Sequence, residues 1–220
     1  MEIELKYKVD PERGREIIES ECPGETDKDR TIPMDAIYYD TKDSALRERH
    51  ITYRIRREGD KYVLTVKYGK GSDKARNGLH RREEINVPVG NDFIDKPGID
   101  VLEDTRIYRE LDKAVGGQYS DDLGVMLPVK ALKPVIEMRF VRKEIDIYLD
   151  EQKTSTAVLS YDEGEILAGG RKEAISEIEI ELSEGNEEKL IEFGAFLSKK
   201  YNLEEGNKSK YARGLKLLDL

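Results

Sequence analysis

The chain has 220 residues, a net charge of −9 and a charged fraction of 39%, against roughly a quarter in an average globular protein. The acidic balance argues against a general binder of nucleic acid or anionic membranes, and the single Cys22 excludes an internal disulfide framework. No apolar run reaches the roughly 20 residues of a membrane-spanning helix, and the charged first residues do not resemble a signal peptide. We therefore expect a soluble, cytoplasmic protein.

The first eight residues alternate between charged and apolar side chains, which is typical of a β-strand. One face of that strand carries Glu2, Glu4, Lys6 and Lys8, and the other carries Ile3, Leu5 and Tyr7. The segment Glu177–Leu182 repeats the pattern with three glutamates, and Arg54 and Arg56 share one face of another strand.

Local signals mark the other elements of the first half. Asp10 and Pro11 form a helix start, and Gly59 and Asp60 lie at the tip of a predicted hairpin. In chain order we predict a helix over 10–22, a strand over 36–40, a turn or short helix over 41–47, hairpin strands over 51–57 and 61–67, and a strand over 79–87 that Pro88 ends.

The second half continues in the same mixed style. Gly116 and Gly117 end a predicted helix, and Asn186 begins another that carries acidic residues in its first turn. We predict a helix over 101–115, strands over 135–148, 156–161, 164–168 and 175–182, a helix from 186, and a closing helix over 209–218. This order favours an α+β fold on an antiparallel sheet, and about eight strands suffice to close a barrel.

Alternation alone does not say which face of these strands points inward. The charged faces either meet bulk water or line the inside of a barrel whose apolar faces are covered by helices. The second arrangement requires opposite charges, metal ions and water to solvate one another.

An ordered set of motifs is similar to the CYTH domains, also called triphosphate tunnel metalloenzymes. The similarity covers nearly all of the chain. The matching segments are Glu2-x-Glu4-x-Lys6, Tyr38–Thr41, Leu46-Arg47, Arg54-x-Arg56, Lys67, Arg82-x-Glu84, Pro134–Arg142, Asp162–Gly169, Glu177–Leu182 and Ser209–Gly214.

The resemblance implies a single domain over residues 1–220, built as an eight-stranded antiparallel β-barrel or tunnel with a charged interior and helices packed outside. It implies Mg²⁺ or Mn²⁺ as the cofactor, with Glu2, Glu4, Glu179 and Glu181 as metal ligands. The expected substrate-binding cations are Lys6, Arg54, Arg56, Lys67, Arg82, Arg139 and Lys210. The expected catalytic residues are Lys6, Glu84 and Asp162.

Several of these roles have alternatives. Arg139 and Arg142 lie on opposite faces of a regular strand, and we prefer Arg139 for the interior because it shares a face with Glu137. Arg54 and Arg56 could instead form a structural ladder with glutamates on neighbouring strands. Direct metal ligation by Glu177 stays open.

The favoured reaction is metal-dependent hydrolysis of a triphosphate, with inorganic tripolyphosphate as substrate and orthophosphate as product. A class IV-type adenylate cyclase, a thiamine triphosphatase, and a polyphosphate- or nucleotide-binding module without turnover are the alternatives. The expected partner is a small-molecule triphosphate, with no nucleic acid and no membrane, and a homodimer stays open. The segment over residues 89–132 is a candidate lid, dimer surface or helical crossover.

Overall fold

The computed structural model describes residues 2–21, 30–48, 50–68, 78–91 and 132–220. No helix within these ranges is long and apolar enough to cross a lipid bilayer. In chain order, the elements are β1 (Glu2–Lys8), α1 (Pro11–Glu21), β2 (Arg30–Asp40), α2 (Ala45–Glu48), β3 (Thr52–Glu58), β4 (Lys61–Tyr68), β5 (Leu79–Val89), β6 (Lys133–Tyr148), β7 (Thr156–Ala168), β8 (Arg171–Glu184), α3 (Glu187–Tyr201), β9 (Glu204–Glu205) and α4 (Lys210–Leu217).

The strands form one antiparallel sheet that closes on itself through β1. Its order is β5-β4-β3-β2-β6-β7-β8-β1, and β1 pairs with β8 on one side and with β5 on the other. The short β9 adds to β1 at Tyr7 and Lys8. The predicted eight-stranded antiparallel tunnel is confirmed, and β9 is an addition that no alternation pattern in the sequence indicated.

The outer face of the sheet is apolar and is covered by α1 and α3. Leu5 and Tyr7 of β1 share one buried cluster with Ile17 of α1 and with Leu190 and Leu197 of α3. Burial of each such aliphatic side chain contributes roughly 1.5–3 kcal/mol, so this face holds both helices firmly. The apolar side of the alternating strands therefore points outward, towards the helices, and the charged side points inward.

The closing helix α4 has a different position from α1 and α3. Its Leu215 and Tyr211 pack against Ile136, Ile166 and Ile175, which lie on the inner face at one end of the tunnel. A Cβ atom on Gly214 would approach the Ile136 Cδ1 atom to 2.7 Å, so glycine permits this close contact. The helix therefore covers the apolar part of an otherwise charged interior.

Some boundaries differ from the sequence-based expectation. β2 begins at Arg30 rather than at residue 36, and β7 runs unbroken through Asp162 and Glu163. β5 continues past Pro88 because at that level only β4 pairs with it, and proline is tolerated at a strand edge. The predicted helix over 101–115 lies outside the described residues, as does nearly all of the segment over 89–132.

Candidate functional site

The inner face of the tunnel encloses a cavity of about 470 Å³, within the roughly 300–1,000 Å³ of typical small-molecule sites. Most of its charged lining consists of residues that the sequence motifs single out. The predicted site residues that line it are Glu2, Glu4, Lys6, Arg54, Arg56, Lys67, Glu84, Glu179, Glu181 and Lys210. The residues that alternation places on the charged faces of the strands therefore line one cavity.

One wall of the cavity is formed by the paired strands β1 and β8. Their register places Glu4 directly opposite Glu181, and Lys6 directly opposite Glu179. The Lys6 Nζ atom donates to the Glu4 carboxylate at 2.8 Å and also contacts Glu179. Lys6 therefore lies between two of the predicted metal ligands and compensates part of their charge.

Behind that wall, one ammonium group lies among three carboxylates. The Lys210 Nζ atom is 2.7 Å from Asp162 Oδ2, 2.9 Å from Glu179 Oε1, and in contact with Glu177. Ser209 caps α4 by accepting a hydrogen bond from the Ala212 amide at 3.2 Å, which holds Lys210 in the first helical turn. The serine-lysine pair of the motif thus combines a helix cap with a buried cation.

Arg142 completes this arrangement, which we call the Lys210 network (Lys210, Arg142, Asp162, Glu177 and Glu179). The Arg142 guanidinium donates two hydrogen bonds of 2.7 Å to Asp162 and one of 2.6 Å to Glu179. Two parallel donors to one carboxylate fix the orientation of arginine more strictly than a single contact can.

The expectation that Arg139 faces the interior is wrong. Its side chain is 65% exposed on the outer face and pairs only with Glu137 among the described residues, at 3.3 Å. The Arg142 side chain is 12% exposed and lines the cavity. The physical reason is α4, because this helix covers Met138 and Phe140 from inside and so turns the apolar face of this part of β6 inward, with Arg142 beside it.

The pKa values in the Lys210 network reflect burial opposed by close cations. Burial would raise the pKa of Glu179, but Lys210, Lys6 and Arg142 hold it well below its usual value. Burial would also raise the pKa of Asp162, but the charges of Arg142 and Lys210 lower it below its usual value. Both carboxylates are therefore charged at neutral pH, as partners of buried cations must be.

On the opposite side, Lys67 bridges two carboxylates in what we call the Lys67 cluster (Lys67, Glu2 and Glu84). Its Nζ atom lies 2.7 Å from Glu2 Oε2 and 2.7 Å from Glu84 Oε2. Burial, outweighing attraction to Lys67, raises the pKa of Glu2 to about 7, and neighbouring Glu4 and Glu84 add to the rise. Lys67 and Arg54 outweigh burial at Glu84 and lower its pKa.

The two arginines of β3 lie next to this cluster. The Arg54 guanidinium is buried, and its Nη2 atom donates to Thr65 Oγ1 at 3.0 Å. No described carboxylate forms an ion pair with it, and its Nε atom has no hydrogen-bond partner among the described residues. Arg56 pairs with Glu58 through a 2.6 Å hydrogen bond from Nε. Glu58 lies on the same strand as Arg56, so neither arginine forms the cross-strand glutamate ladder considered as an alternative, among the described residues.

Two groups of carboxylates could hold a divalent cation. Asp162, Glu177 and Glu179 bring oxygens within 4.8 Å of one another, but the Lys210 ammonium already lies among them. Glu181 forms no ion pair with a described residue and faces Glu4 across the strand pair, where like charges repel. Partial desolvation at the cavity wall and repulsion by Glu4, Glu179 and Glu84 raise the pKa of Glu181, although its side chain is exposed to solvent. A hard cation with oxygen ligands fits the Glu4 and Glu181 side of the cavity better.

The remaining residues fall into three groups. Asp162 lies behind the cavity lining with a fully buried side chain, and the Arg82 side chain lies outside the described part of the structure. Arg213, to which the sequence assigned no role in the site, is 14% exposed and pairs with Glu177 at 2.8 Å. Sequence reasoning did not assign Thr65 and Asn86, which line the cavity from strand faces shared with Lys67 and Glu84, and this shared parity was the available signal.

Comparison with known proteins agrees with this geometry. A model of the CYTH domain matches residues 1–215. The chain belongs to the CYTH domain family. Among known proteins similar to this chain, an inorganic triphosphatase from Haemophilus influenzae is 29% identical over 213 residues, which cover 97% of this chain and 54% of the relative. The chain therefore spans about half the length of that curated relative.

Solved structures show the same CYTH architecture. A putative adenylyl cyclase from Hippeastrum, described as revealing a dominant triphosphatase activity, matches with a TM-score of 0.71 at 21% identity, over 98% of this chain and 96% of that one. A putative adenylate cyclase from Bacillus halodurans matches with a TM-score of 0.59 at 21% identity, over 95% and 94% of the two chains. At such identities the likeness establishes the fold alone.

Proposed function

We propose that this CYTH protein hydrolyses inorganic tripolyphosphate to release orthophosphate, with Mg²⁺ or Mn²⁺ as cofactor. The observation that carries the proposal is the separation of charge inside the cavity. Arg54 is a buried cation without a described carboxylate partner, and Glu181 is a carboxylate without a described cation partner. A polyanion and a divalent cation are the ligands that satisfy both groups.

The cations around the cavity suit a triphosphate chain. Arginine binds phosphate oxygens with two donors at once, and lysine supplies a compact point charge. The groups that we assign to the substrate are Lys6, Arg54, Arg56, Lys67, Arg142 and Lys210, all of which line the cavity. Arg142 takes the place that sequence reasoning gave to Arg139. Phosphoryl transfer depends chiefly on such positioning and charge neutralisation.

Glu4 and Glu181 would hold the metal. The other two predicted ligands, Glu2 and Glu179, already pair with cations of the protein, so metal binding by either would require an ion pair to open. A bound divalent cation neutralises phosphate charge and lowers the pKa of a water molecule that it binds. Glu84 lies at the cavity surface, where its carboxylate can accept a hydrogen bond from the attacking water and orient it. Both Asp162 oxygens are occupied by Arg142 and Lys210, so we assign Asp162 the role of holding these two cations towards the substrate.

We favour an inorganic substrate over a nucleotide. Tyr38 is the aromatic side chain beside Arg54, and its ring stacks on Tyr211 with centroids 5.1 Å apart. That ring face is therefore not free to stack with a nucleobase. The Haemophilus relative is also named an inorganic triphosphatase. A substrate assay distinguishes this reaction from adenylate cyclase activity, thiamine triphosphate hydrolysis and binding without turnover.

The proposal is tested by a substrate panel. Purified protein is given tripolyphosphate, thiamine triphosphate or ATP with Mg²⁺ or Mn²⁺, and products are separated by ion-exchange chromatography. We expect orthophosphate and pyrophosphate from tripolyphosphate at the highest kcat/KM, and no release after chelation. Cyclic AMP from ATP would replace the hydrolase assignment by a cyclase. Tight binding without any product would make the protein a passive binder.

The metal ligands are tested separately by calorimetry. Glu4→Gln and Glu181→Gln preserve side-chain shape but remove ligand charge, so we expect at least tenfold weaker Mn²⁺ binding in each. Glu137→Gln is the matched control, because Glu137 lies on the outer face, outside the cavity. Unchanged Mn²⁺ affinity in Glu4→Gln and Glu181→Gln would move the metal site elsewhere.

A further inference from the structure

A row of hydrogen bonds crosses three neighbouring strands on the inner face of the tunnel. The register of β3, β4 and β5 places Arg54 opposite Thr65, and Thr65 opposite Asn86. The Arg54 Nη2 atom donates to Thr65 Oγ1 at 3.0 Å, and Thr65 Oγ1 donates to Asn86 Oδ1 at 2.7 Å. The Asn86 Nδ2 atom then donates to Glu84 Oε1 at 2.7 Å.

The chemistry of the groups gives this row a single direction. A guanidinium only donates hydrogen bonds and an ionised carboxylate only accepts them. The threonine hydroxyl must therefore accept from Arg54 and donate to Asn86, and the amide must turn its oxygen to Thr65 and its nitrogen to Glu84. Reversal of any one bond would leave two donors or two acceptors facing each other.

This row and the Tyr38 side chain orient Arg54, because no described carboxylate forms an ion pair with it. It forms no ion pair with a described carboxylate, whereas Arg142 is held by Asp162 and Glu179. Its Cζ atom lies 5.9 Å from the centre of the Tyr38 ring, which supports the guanidinium from one side. Thr65 Oγ1 accepts a hydrogen bond of 3.0 Å from Arg54, and the Tyr38 side chain is a second hydrogen-bond partner of the guanidinium.

We propose that Thr65 and Asn86 are positioning residues that link phosphate binding by Arg54 to the carboxylate of Glu84. This inference rests on the proposed function of the cavity, since it assigns Arg54 to the phosphates. The hydroxyl and the amide fix the spacing between a substrate-binding cation and a catalytic carboxylate. Neither needs to touch the substrate.

The test compares two substitutions of the same residue. Thr65→Val keeps the shape of the side chain but removes the hydroxyl, whereas Thr65→Ser keeps the hydroxyl. We expect Thr65→Val to weaken tripolyphosphate binding to the chelator-treated protein about tenfold, because a hydrogen bond to a charged group is lost. Thr65→Ser is expected within about twofold of the wild type. Thr31→Val, on an exposed part of β2, controls for the substitution itself.

A double-mutant cycle separates positioning from general loosening of the sheet. Once Arg54→Ala has removed the guanidinium, Thr65→Val should change tripolyphosphate affinity by less than about twofold, because the group that it positions is gone. The same tenfold loss in both backgrounds would overturn the proposal. Equal affinities of Thr65→Val and Thr65→Ser would also overturn it.

Failure of this inference is distinguishable from failure of the proposed function. Wild-type protein that binds tripolyphosphate without hydrolysing it removes the hydrolase assignment, while the affinity cycle still tests the positioning role. Wild-type protein that hydrolyses tripolyphosphate but shows no coupling between Thr65 and Arg54 removes the positioning role alone. Absence of tripolyphosphate binding by the wild type overturns both.

Discussion

The two sides of the cavity solve the problem of buried charge in different ways. In the Lys210 network, every cation and carboxylate has at least one oppositely charged partner, and Asp162 is bound by both Arg142 and Lys210. In the Lys67 cluster, two glutamates share one lysine, and the neighbouring Arg54 has no described carboxylate partner. The first side is internally compensated, whereas the second is not.

This difference suggests a division of work inside the tunnel. A fully paired buried network is costly to assemble and more costly to break, because removal of one member leaves an uncompensated charge. Such a network suits the rigid attachment of α4 to the sheet. Groups that lack partners keep their capacity for a ligand, so we expect substrate and metal to influence the Lys67 side most strongly.

The largest expected effect is a loss of folding stability when the Lys210 network is broken. Lys210→Met should lower the free energy of unfolding by about 3–5 kcal/mol, because three carboxylates lose the ammonium among them. Urea denaturation followed by circular dichroism measures this loss. Lys216→Met, at an exposed position on the same helix, should stay within about 0.5 kcal/mol. A loss below about 1 kcal/mol for Lys210→Met would show that the network is not a structural anchor.

An intermediate effect is expected for the pH dependence of folding stability, through Glu2 of the Lys67 cluster. The pKa of Glu2 is raised from 4.5 to about 7, so the folded protein keeps a proton that the unfolded chain has released. The stability that this proton supplies is present below pH 4.5 and is lost as pH rises to about 7. We expect a loss of about 3 kcal/mol for metal-free protein between pH 4.5 and pH 7.5.

Urea midpoints measured from pH 4.5 to pH 7.5 test this expectation. Glu2→Gln should flatten the decline, whereas the exposed Glu12→Gln should leave it unchanged. Equal slopes for Glu2→Gln and the wild type would show that Glu2 is ionised throughout. Within the Lys210 network, Asp162 and Glu179 have the opposite sign, because their pKa values are lowered and their stabilisation is lost only in acid. Burial raises the pKa of Glu177, so this member of the network has the same sign as Glu2.

The smallest effect is expected at Arg139. Arg139→Gln should change stability by less than about 0.5 kcal/mol and kcat/KM by less than about twofold, because its side chain is exposed. Arg142→Gln, three positions further along β6, should lower tripolyphosphate affinity more than tenfold. Steady-state kinetics on the two variants shows which of the two arginines binds the substrate. A larger loss in Arg139→Gln would reverse the orientation of β6.

Much of the site was predictable because strand alternation is a local property. Glu2, Glu4 and Lys6 share a face in any extended strand, and Arg54 shares a face with Arg56 for the same reason. The motif order then supplied the family, which the match over residues 1–215 confirms. The pairs that these residues form across strands were not predictable, since register depends on the whole sheet.

The outward orientation of Arg139 is not predictable from the local pattern of β6. Glu137 and Arg139 form the more polar face of this part of β6, and polar faces elsewhere in the chain point inward. Here α4 covers Ile136 and Met138 from inside the tunnel, so the apolar face is the inner one. No pattern within β6 records the position of a helix some 70 residues further along the chain.

By itself, the sequence determined which side chains share a face of each strand, because alternation follows from backbone geometry. Only the tertiary structure decided which face is the inner one and which charges meet there. Closure of the sheet through β1 brings Glu4 opposite Glu181, and the packing of α4 brings Lys210 to Asp162. These contacts join residues far apart in the chain, and burial and charge pairing decide them together.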